Sequence, residues 1–335
     1  MHKFKGYSGI LFVGDPHIWS KKPGKRIDLD FTATVLDKIN QAVDISIKEN
    51  LYLIILGDLF HVDNENNIEM LTKLVRILKK LPEPCASVEG NHEKSQLNLS
   101  DDVAMTLLRE SGVVYTLEKN GIEIQMTIGD KSVVIGSTPY GSKIPEEVTV
   151  PSKFADQNPF IIWLTHENLD FGESYPGVIP IKEIQGVSML VNGHIHKTKK
   201  PKKVGGMVAH NPGNITRLST DCVDHVPAVW KWTPEQGQDL EPISLNFHKE
   251  VFSMIGKQIE VDVAPSMVTE ELSPKQTSVF VEKMERQLLE DQDKTDDGEY
   301  LKQSIRALAL AMQIDSEMTE ELMLIAEETL KEENS

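Results

Sequence analysis

The chain has 335 residues, 39% of them hydrophobic, with a formal net charge of −17 and two cysteines, Cys85 and Cys222. That length exceeds one average domain, so a large core with a smaller appendage is expected. Two cysteines exclude a disulfide framework or a thiolate metal cage, and no run approaches the roughly 18 apolar residues a membrane span needs. Residues 1–20 lack the order of a signal peptide, so the expected location is the cytoplasm with no membrane association. The charge is uneven: residues 266–335 hold 18 acidic and 7 basic side chains, a balance of −11, which leaves −6 for the first 265.

In chain order, residues 10–13 form an apolar run of strand length, and Val35, Leu36, Ile39, Val43 and Ile47 recur at helical spacing. Residues 53–56 read as a second buried strand, Leu71, Leu74, Val75 and Leu78 as another helix, and residues 86–89 as a third strand. This βαβαβ order favours a parallel sheet covered by helices. From about residue 121 the pattern turns strand-rich. Residues 122–128 face 133–135 across a Gly129-Asp130 hairpin turn, and further strands fall at 160–164, 189–191, 207–209 and 228–230. The predicted fold is α/β, a two-sheet sandwich flanked by helices. Residues 234–265, punctuated by Pro and Gly, read as a linker or small cap after a core domain at 1–233. Residues 266–335 read as an acidic helical region, with helices at 279–290 and 300–333 around a polar loop.

A polar constellation follows each of five predicted strands. These are Asp15 and His17, then Gly57-Asp58, Gly90-Asn91-His92-Glu93, His166, and Gly193-His194-Ile195-His196. In open α/β sheets ligands bind at the carboxyl ends of strands, where the loops converge. Singly, D-x-H or G-D is a weak signal; five in order, each after a strand, is a strong one. Two Asp, one Asn carbonyl and four His give a mixed oxygen and nitrogen set, suited to Mn, Fe or Zn and larger than one tetrahedral ion needs. Such a set with one shared carboxylate implies two metals, roughly 3.5–4 Å apart in two-metal hydrolases, with Asp58 as the natural bridge.

The order D-x-H, G-D, G-N-H-E, H, G-H-x-H closely resembles the calcineurin-like metallophosphoesterase superfamily over about residues 9–232. The resemblance implies that Asp15, His17, Asp58 and His196 hold one metal, and Asp58, Asn91, His166 and His194 the other. It makes His92 the catalytic histidine, a non-ligand that assists the leaving group while a hydroxide bridging the metals attacks phosphorus. The family usually carries Asp after G-N-H; Glu93 stands there instead, with the expected duty of orienting His92 through a hydrogen bond.

Gly57-Asp58-Leu59-Phe60-His61 is similar to a form common in SbcD-type DNA repair nucleases and in phage-encoded recombination endonuclease subunits. Asn211-Pro212-Gly213-Asn214 followed by Arg217 is similar to a segment those nucleases carry after G-H-x-H, and residues 241–263 to their passage from core to cap. The resemblance implies a DNA nuclease, with His61 positioning substrate. Lys21, Lys22, Lys25 and Arg26 follow the D-x-H loop, and Lys197, Lys199, Lys200, Lys202 and Lys203 follow G-H-I-H. Both runs are expected beside the metal site as phosphate contacts, with the alternative that they are solvated turns. His61 likewise has the alternative of a surface-loop histidine, and His210 that of a strand cap.

For the C-terminal region the apolar positions Val279, Met284, Leu288, Leu301, Ile305, Leu308, Leu322 and Ile325 allow two readings. They pack a helical subdomain onto the core, or they form an amphipathic pair that docks a partner, which the resemblance identifies with an SbcC-like coiled-coil ATPase subunit. A homodimer stays open. The competing functions are a small-molecule or nucleotide phosphodiesterase or a protein phosphatase, and a non-catalytic adaptor on the same fold.

Overall fold

The computed structural model describes residues 2–93, 103–150, 158–172 and 178–253; the helices expected at 279–290 and 300–333 lie outside the described residues. By backbone contacts the chain divides into Met1–Gly256 and Lys257–Ser335, and every described residue belongs to the first unit.

The first half runs β1 (His2–Lys5), β2 (Gly9–Val13), α1 (Phe31–Glu49), β3 (Leu51–Ile55), α2 (Ile68–Leu78), β4 (Cys85–Val88), α3 (Ala104–Glu110) and β5 (Val114–Leu117). The second half runs β6 (Gly121–Ile128), β7 (Lys131–Thr138), β8 (Phe160–Thr165), β9 (Leu169–Asp170), β10 (Ile179–Pro180), β11 (Met189–Asn192), β12 (Lys199–Val204), β13 (Met207–Asn211), β14 (Ala228–Trp232) and β15 (Glu241–Ser244). One sheet has the order β15-β14-β2-β3-β4-β5, the other β1-β6-β7-β8-β11-β13-β12, and β9 pairs with β10 alone. In the first sheet β2 to β5 are parallel with a helix in each crossover; in the second β7, β8, β11 and β13 are parallel.

Side-chain alternation along each strand explains why two sheets form. In β2, Ile10 and Phe12 face the second sheet with Tyr52 and Ile54 of β3, while Leu11 and Val13 face the helices with Leu53 and Ile55. The inner layer is completed by Ile124, Met126, Val133, Ile135, Ile162, Leu164, Met189 and Val191. The outer face of the second sheet carries a smaller cluster around Ile161, Trp163, Leu190 and Met207. Each large apolar side chain so buried contributes about 1.5–3 kcal/mol. Asp30 caps α1 by accepting from Ala33 N at 2.8 Å, and Asn50 closes it in a left-handed conformation at φ 53°. The Gly129-Asp130 turn joins β6 and β7 as expected, with Ile128 opposite Lys131.

Residues 234–253, which the sequence alone presents as a linker or cap, supply β15, an edge strand antiparallel to β14. The chain then lies along α1 and the loop before it. Gln41 exchanges hydrogen bonds with the backbone of Asn246, Arg217 donates to the carbonyls of His248 and Lys249, and Ile27 N donates to Val251 O. Among the described residues no helix is long and apolar enough to cross a membrane.

Trp232 joins the two sheets. It is fully buried, stacks on Phe160 of β8 at 4.9 Å and 20°, and donates from its indole N–H to Gly237 O at 2.9 Å. Trp232→Ala is expected to cost about 3–5 kcal/mol and Trp232→Phe clearly less, read as shifts of the urea midpoint at unchanged slope. Equal losses in the two variants would show that the stacked ring contributes little.

Candidate metal centre

The loops after β2 and β3 are tied together by their backbones. His17 N donates to Asp58 O at 2.9 Å, Ile18 N to Leu59 O at 2.8 Å, and His61 N to Ile18 O at 3.0 Å. Among the described residues six non-glycine positions have positive φ, and four of them are candidate ligands: Asp15 (35°), His17 (48°), Asp58 (47°) and His194 (72°). Such backbone costs on the order of 1–3 kcal/mol per residue and persists where the surroundings enforce it, typically at functional sites. Close approach adds a second constraint. A Cβ at Gly90 would stand 2.1 Å from Asp58 Oδ1, and one at Gly193 would stand 2.2 Å from Leu56 O and 2.7 Å from His166 Nδ1. Only glycine fits at either place.

All seven expected ligands come together. Asp58 Oδ2 lies 3.1 Å from His166 Nε2 and 3.6 Å from His17 Nε2, so one carboxylate oxygen stands between two histidine groups. On one side Asn91 Oδ1 is 3.2 Å from His166 Nε2 and 3.0 Å from His194 Nδ1. On the other, the Nε2 atoms of His17 and His196 are 2.9 Å apart. Asp15 Oδ1 accepts the backbone N–H of His194 at 3.0 Å. Its Oδ2 and the Nδ1 of His17 are buried without a hydrogen-bond partner, a costly state for groups that nothing engages. Unpartnered acceptors and crowded imidazole nitrogens in an oxygen and nitrogen donor set fit divalent cations.

Electrostatics point the same way. Burial and the neighbouring Asp58 carboxylate push Asp15 up to about 7, against the pull of His166. Burial would raise Asp58 too, but His166 and His92 hold it well below the usual carboxylate range. His166 moves oppositely: burial would lower it, yet the carboxylates of Asp58 and Asp15 and the Leu56 carbonyl carry it up to about 10. Burial takes His194 down to about 3 and His17 well below normal, leaving both neutral and available as ligands. The two carboxylates thus favour the charged form of His166, which stands between them.

His61 joins the site rather than a bare surface loop. Ligand-type atoms of His17, His61 and His92 lie within 4.8 Å of one another, as do those of Asp58, His166 and His194. His61 stacks on His92 at 5.3 Å and packs on Trp19 at 4.5 Å, and burial lowers it to about 4.

Glu93 departs from expectation. His92 is oriented by the His61 carbonyl, to which its Nδ1 donates at 2.7 Å. The Glu93 carboxylate turns to backbone instead: Oε2 accepts from Asp58 N at 3.0 Å and Gly90 N at 2.7 Å, and Oε1 from Leu59 N. With His92 N donating to Asp58 Oδ1 at 3.0 Å, the β3 and β4 loops are cross-linked in both directions.

The basic runs also differ in detail. Lys199–Val204 is the edge strand β12, with Lys197 and Lys200 exposed, Lys199 half-buried, and Lys202 paired with Asp170 at 3.6 Å. Arg26 is no phosphate contact: it is buried, forms two 2.7 Å hydrogen bonds with the Asp28 carboxylate, and donates to Arg217 O. His210 is buried in β13 and donates to Gln238 O at 2.7 Å, a structural role. Two residues escaped sequence reasoning. Asn192 at the end of β11 accepts from Thr165 Oγ1 and Glu167 N and donates to Asn211 Oδ1 and the Glu167 carbonyl, which fixes the His166 loop. Tyr140, beyond β7, places its ring 5.8 Å from that of His194.

The sequence profile of calcineurin-like phosphoesterases matches residues 9–198. No curated protein sequence matches the chain. Among solved structures, one described as a novel archaeal phosphodiesterase is 15% identical, with a TM-score of 0.35, covering 70% of this chain and 99% of its own. A 5'-nucleotidase precursor from Thermus thermophilus is 12% identical, with a TM-score of 0.41, covering 70% of this chain and 54% of its own.

Two outcomes test this geometry. Because Asp58 and Asp15 carry His166 up to about 10, cation binding near neutral pH is expected to displace a proton from it. Calorimetry in buffers of different ionisation enthalpy is expected to show net proton release, and affinity to fall about tenfold per pH unit for each proton displaced as the medium is acidified; binding without release would contradict the proton on His166. Glu93→Gln removes an acceptor facing Leu59 N, so a loss of about 1–3 kcal/mol and weaker metal binding are expected, read by urea unfolding and metal content.

Proposed function

The chain belongs to the calcineurin-like phosphoesterase family, and from that premise we propose that it is a two-metal phosphodiesterase acting on DNA, a nuclease similar to SbcD-type subunits. The observation that carries the two-metal reading is the Asp58 carboxylate oxygen standing 3.1 Å from one histidine group and 3.6 Å from the other. Asp15, His17, Asp58 and His196 would hold one ion, and Asp58, Asn91, His166 and His194 the second; manganese suits this donor set. Bound cations neutralise charge on phosphate oxygens and acidify water for in-line attack.

The protein's own part is positional. His92, anchored through Nδ1 to the His61 carbonyl, hands a proton from Nε2 to the departing oxygen. Glu93 and the His92 backbone hold the Asp58 and Asn91 loops in register, so the phosphate meets a preorganised site. The leading electrostatic influences on Asp15, His17, Asp58, His166 and His194 come from Asp and His side chains of the site itself. Lys197 and Lys200, exposed beyond Gly193-His194, are assigned to the DNA backbone, with binding that weakens as salt rises. On this reading residues 266–335 dock a coiled-coil ATPase subunit.

Labelled single- and double-stranded DNA, bis-p-nitrophenyl phosphate and a phosphomonoester, each offered with Mn, test the proposal. Expected are DNA and diester cleavage, both lost in Asp58→Ala, and a fall of about 10²–10⁴ in kcat for His92→Ala with its metal content retained. Diester hydrolysis with DNA untouched would leave two readings, a nuclease silent without its partner subunit and a small-molecule phosphodiesterase. Loss of metal in His92→Ala would remove that residue from its role.

A further inference from the structure

We propose that Tyr140 is the residue that selects a nucleoside next to the scissile phosphate, by offering its ring to the base on the His166 and His194 side of the site. This rests on the phosphodiesterase reading above and names its substrate class.

The placement of Tyr140 is the argument. Its ring centroid lies 5.8 Å from that of His194, tilted by 34°, and 6.2 Å from that of His166, nearly perpendicular at 75°. Its backbone is held by the strand ends that carry the ligands. Tyr140 N donates at 3.1 Å to the carbonyl of Glu89, just ahead of Gly90-Asn91, and Gly141 N donates at 2.8 Å to the side chain of Glu167, which follows His166. Two residues back, Thr138 Oγ1 accepts from the Trp163 indole at 2.9 Å and donates to Asn120. The loop is thus anchored on both sides of Tyr140, yet the residue is 37% exposed where the large aromatics of the core are buried. That exposure leaves part of the side chain open to solvent beside His194.

A phosphate bound at the ion that Asn91, His166 and His194 would hold lies within reach of that ring, so the ester group turned toward Tyr140 can meet it. Every base presents a flat face that stacks on an aromatic side chain, whatever its sequence. An alkyl ester or a phosphoserine has no such face to offer. The opposite side of the site is built alike, with Trp19 against His61 and His61 stacked on His92.

The test compares thymidine 5′-(p-nitrophenyl phosphate) with methyl p-nitrophenyl phosphate, which share a leaving group and differ only in nucleoside against methyl. The full chain with Mn is expected to prefer the nucleoside ester in kcat/KM. Tyr140→Leu should cut that preference about tenfold, chiefly through KM, as the loss of one stacked base implies. Tyr140→Phe, which keeps the ring, should retain it, and both variants should keep the metal content of the parent. An unchanged preference in Tyr140→Leu, or no preference in the parent, overturns the proposal while leaving the phosphodiesterase standing. Equal loss in the Phe and Leu variants overturns stacking in favour of the hydroxyl. Failure of the parent to hydrolyse either ester brings down both readings together.

Discussion

Three carboxylates, those of Asp15, Asp58 and Glu93, are buried together at the ends of β2, β3 and β4, none more than 1% exposed. Bringing like charges into one dry volume is costly, and the surroundings are arranged to make it tolerable. Glu93 is engaged by three backbone amides, Asp15 by one, and Asp58 by His166 and the amide of His92. Even so, burial and the charge of Asp58 leave Asp15 and Glu93 titrating at about 7. That remaining imbalance favours a positive charge beside these carboxylates, which fits the divalent cations that the family uses.

Holding donors that repel one another requires a frame that does not yield. Parallel strands supply it, because their carboxyl ends deliver loops from both sheets to one edge while the inner apolar layer locks the sheets together. The left-handed backbone at Asp15, His17, Asp58 and His194 stores strain at the ligands themselves, and the close approaches at Gly90 and Gly193 leave no room for relaxation. That strain is offset by burial elsewhere, so packing energy is converted into ligand geometry.

The candidate ligands that the structure brings together were legible in the sequence because each lies directly after an apolar run, and strand direction does the rest. What was illegible depended on contacts between distant positions. Glu93 sits beside His92 in the chain, which suggested a bond between them, but its carboxylate reaches amides 34 and 35 positions away. Tyr140 was missed because β7 ends without Asp or His, so nothing marked a sixth strand end at the site. The lysines of 199–203 looked like a loop because charge dominates composition there; an edge strand tolerates the same residues, since lysines discourage pairing with another chain. Residues 234–253 are punctuated by Pro and Gly like a linker, and it is contacts with distant positions, the pairing of β15 with β14 and the Gln41 and Arg217 hydrogen bonds among them, that tie them to the core.

The glutamate at position 93 also bears on the chemistry of its neighbour. The Glu93 side chain, one methylene longer than that of an Asp, reaches Gly90 N, Asp58 N and Leu59 N together. With the longer side chain committed to these amides, His92 takes its orientation from a neutral acceptor, the His61 carbonyl. A carboxylate partner would stabilise the charged imidazole and make it keep its proton; a carbonyl fixes the ring while binding that charge less strongly. Two duties are thus divided here: Glu93 cross-links the loops of the site, and the His61 carbonyl, on the strand end that already carries Asp58, orients His92.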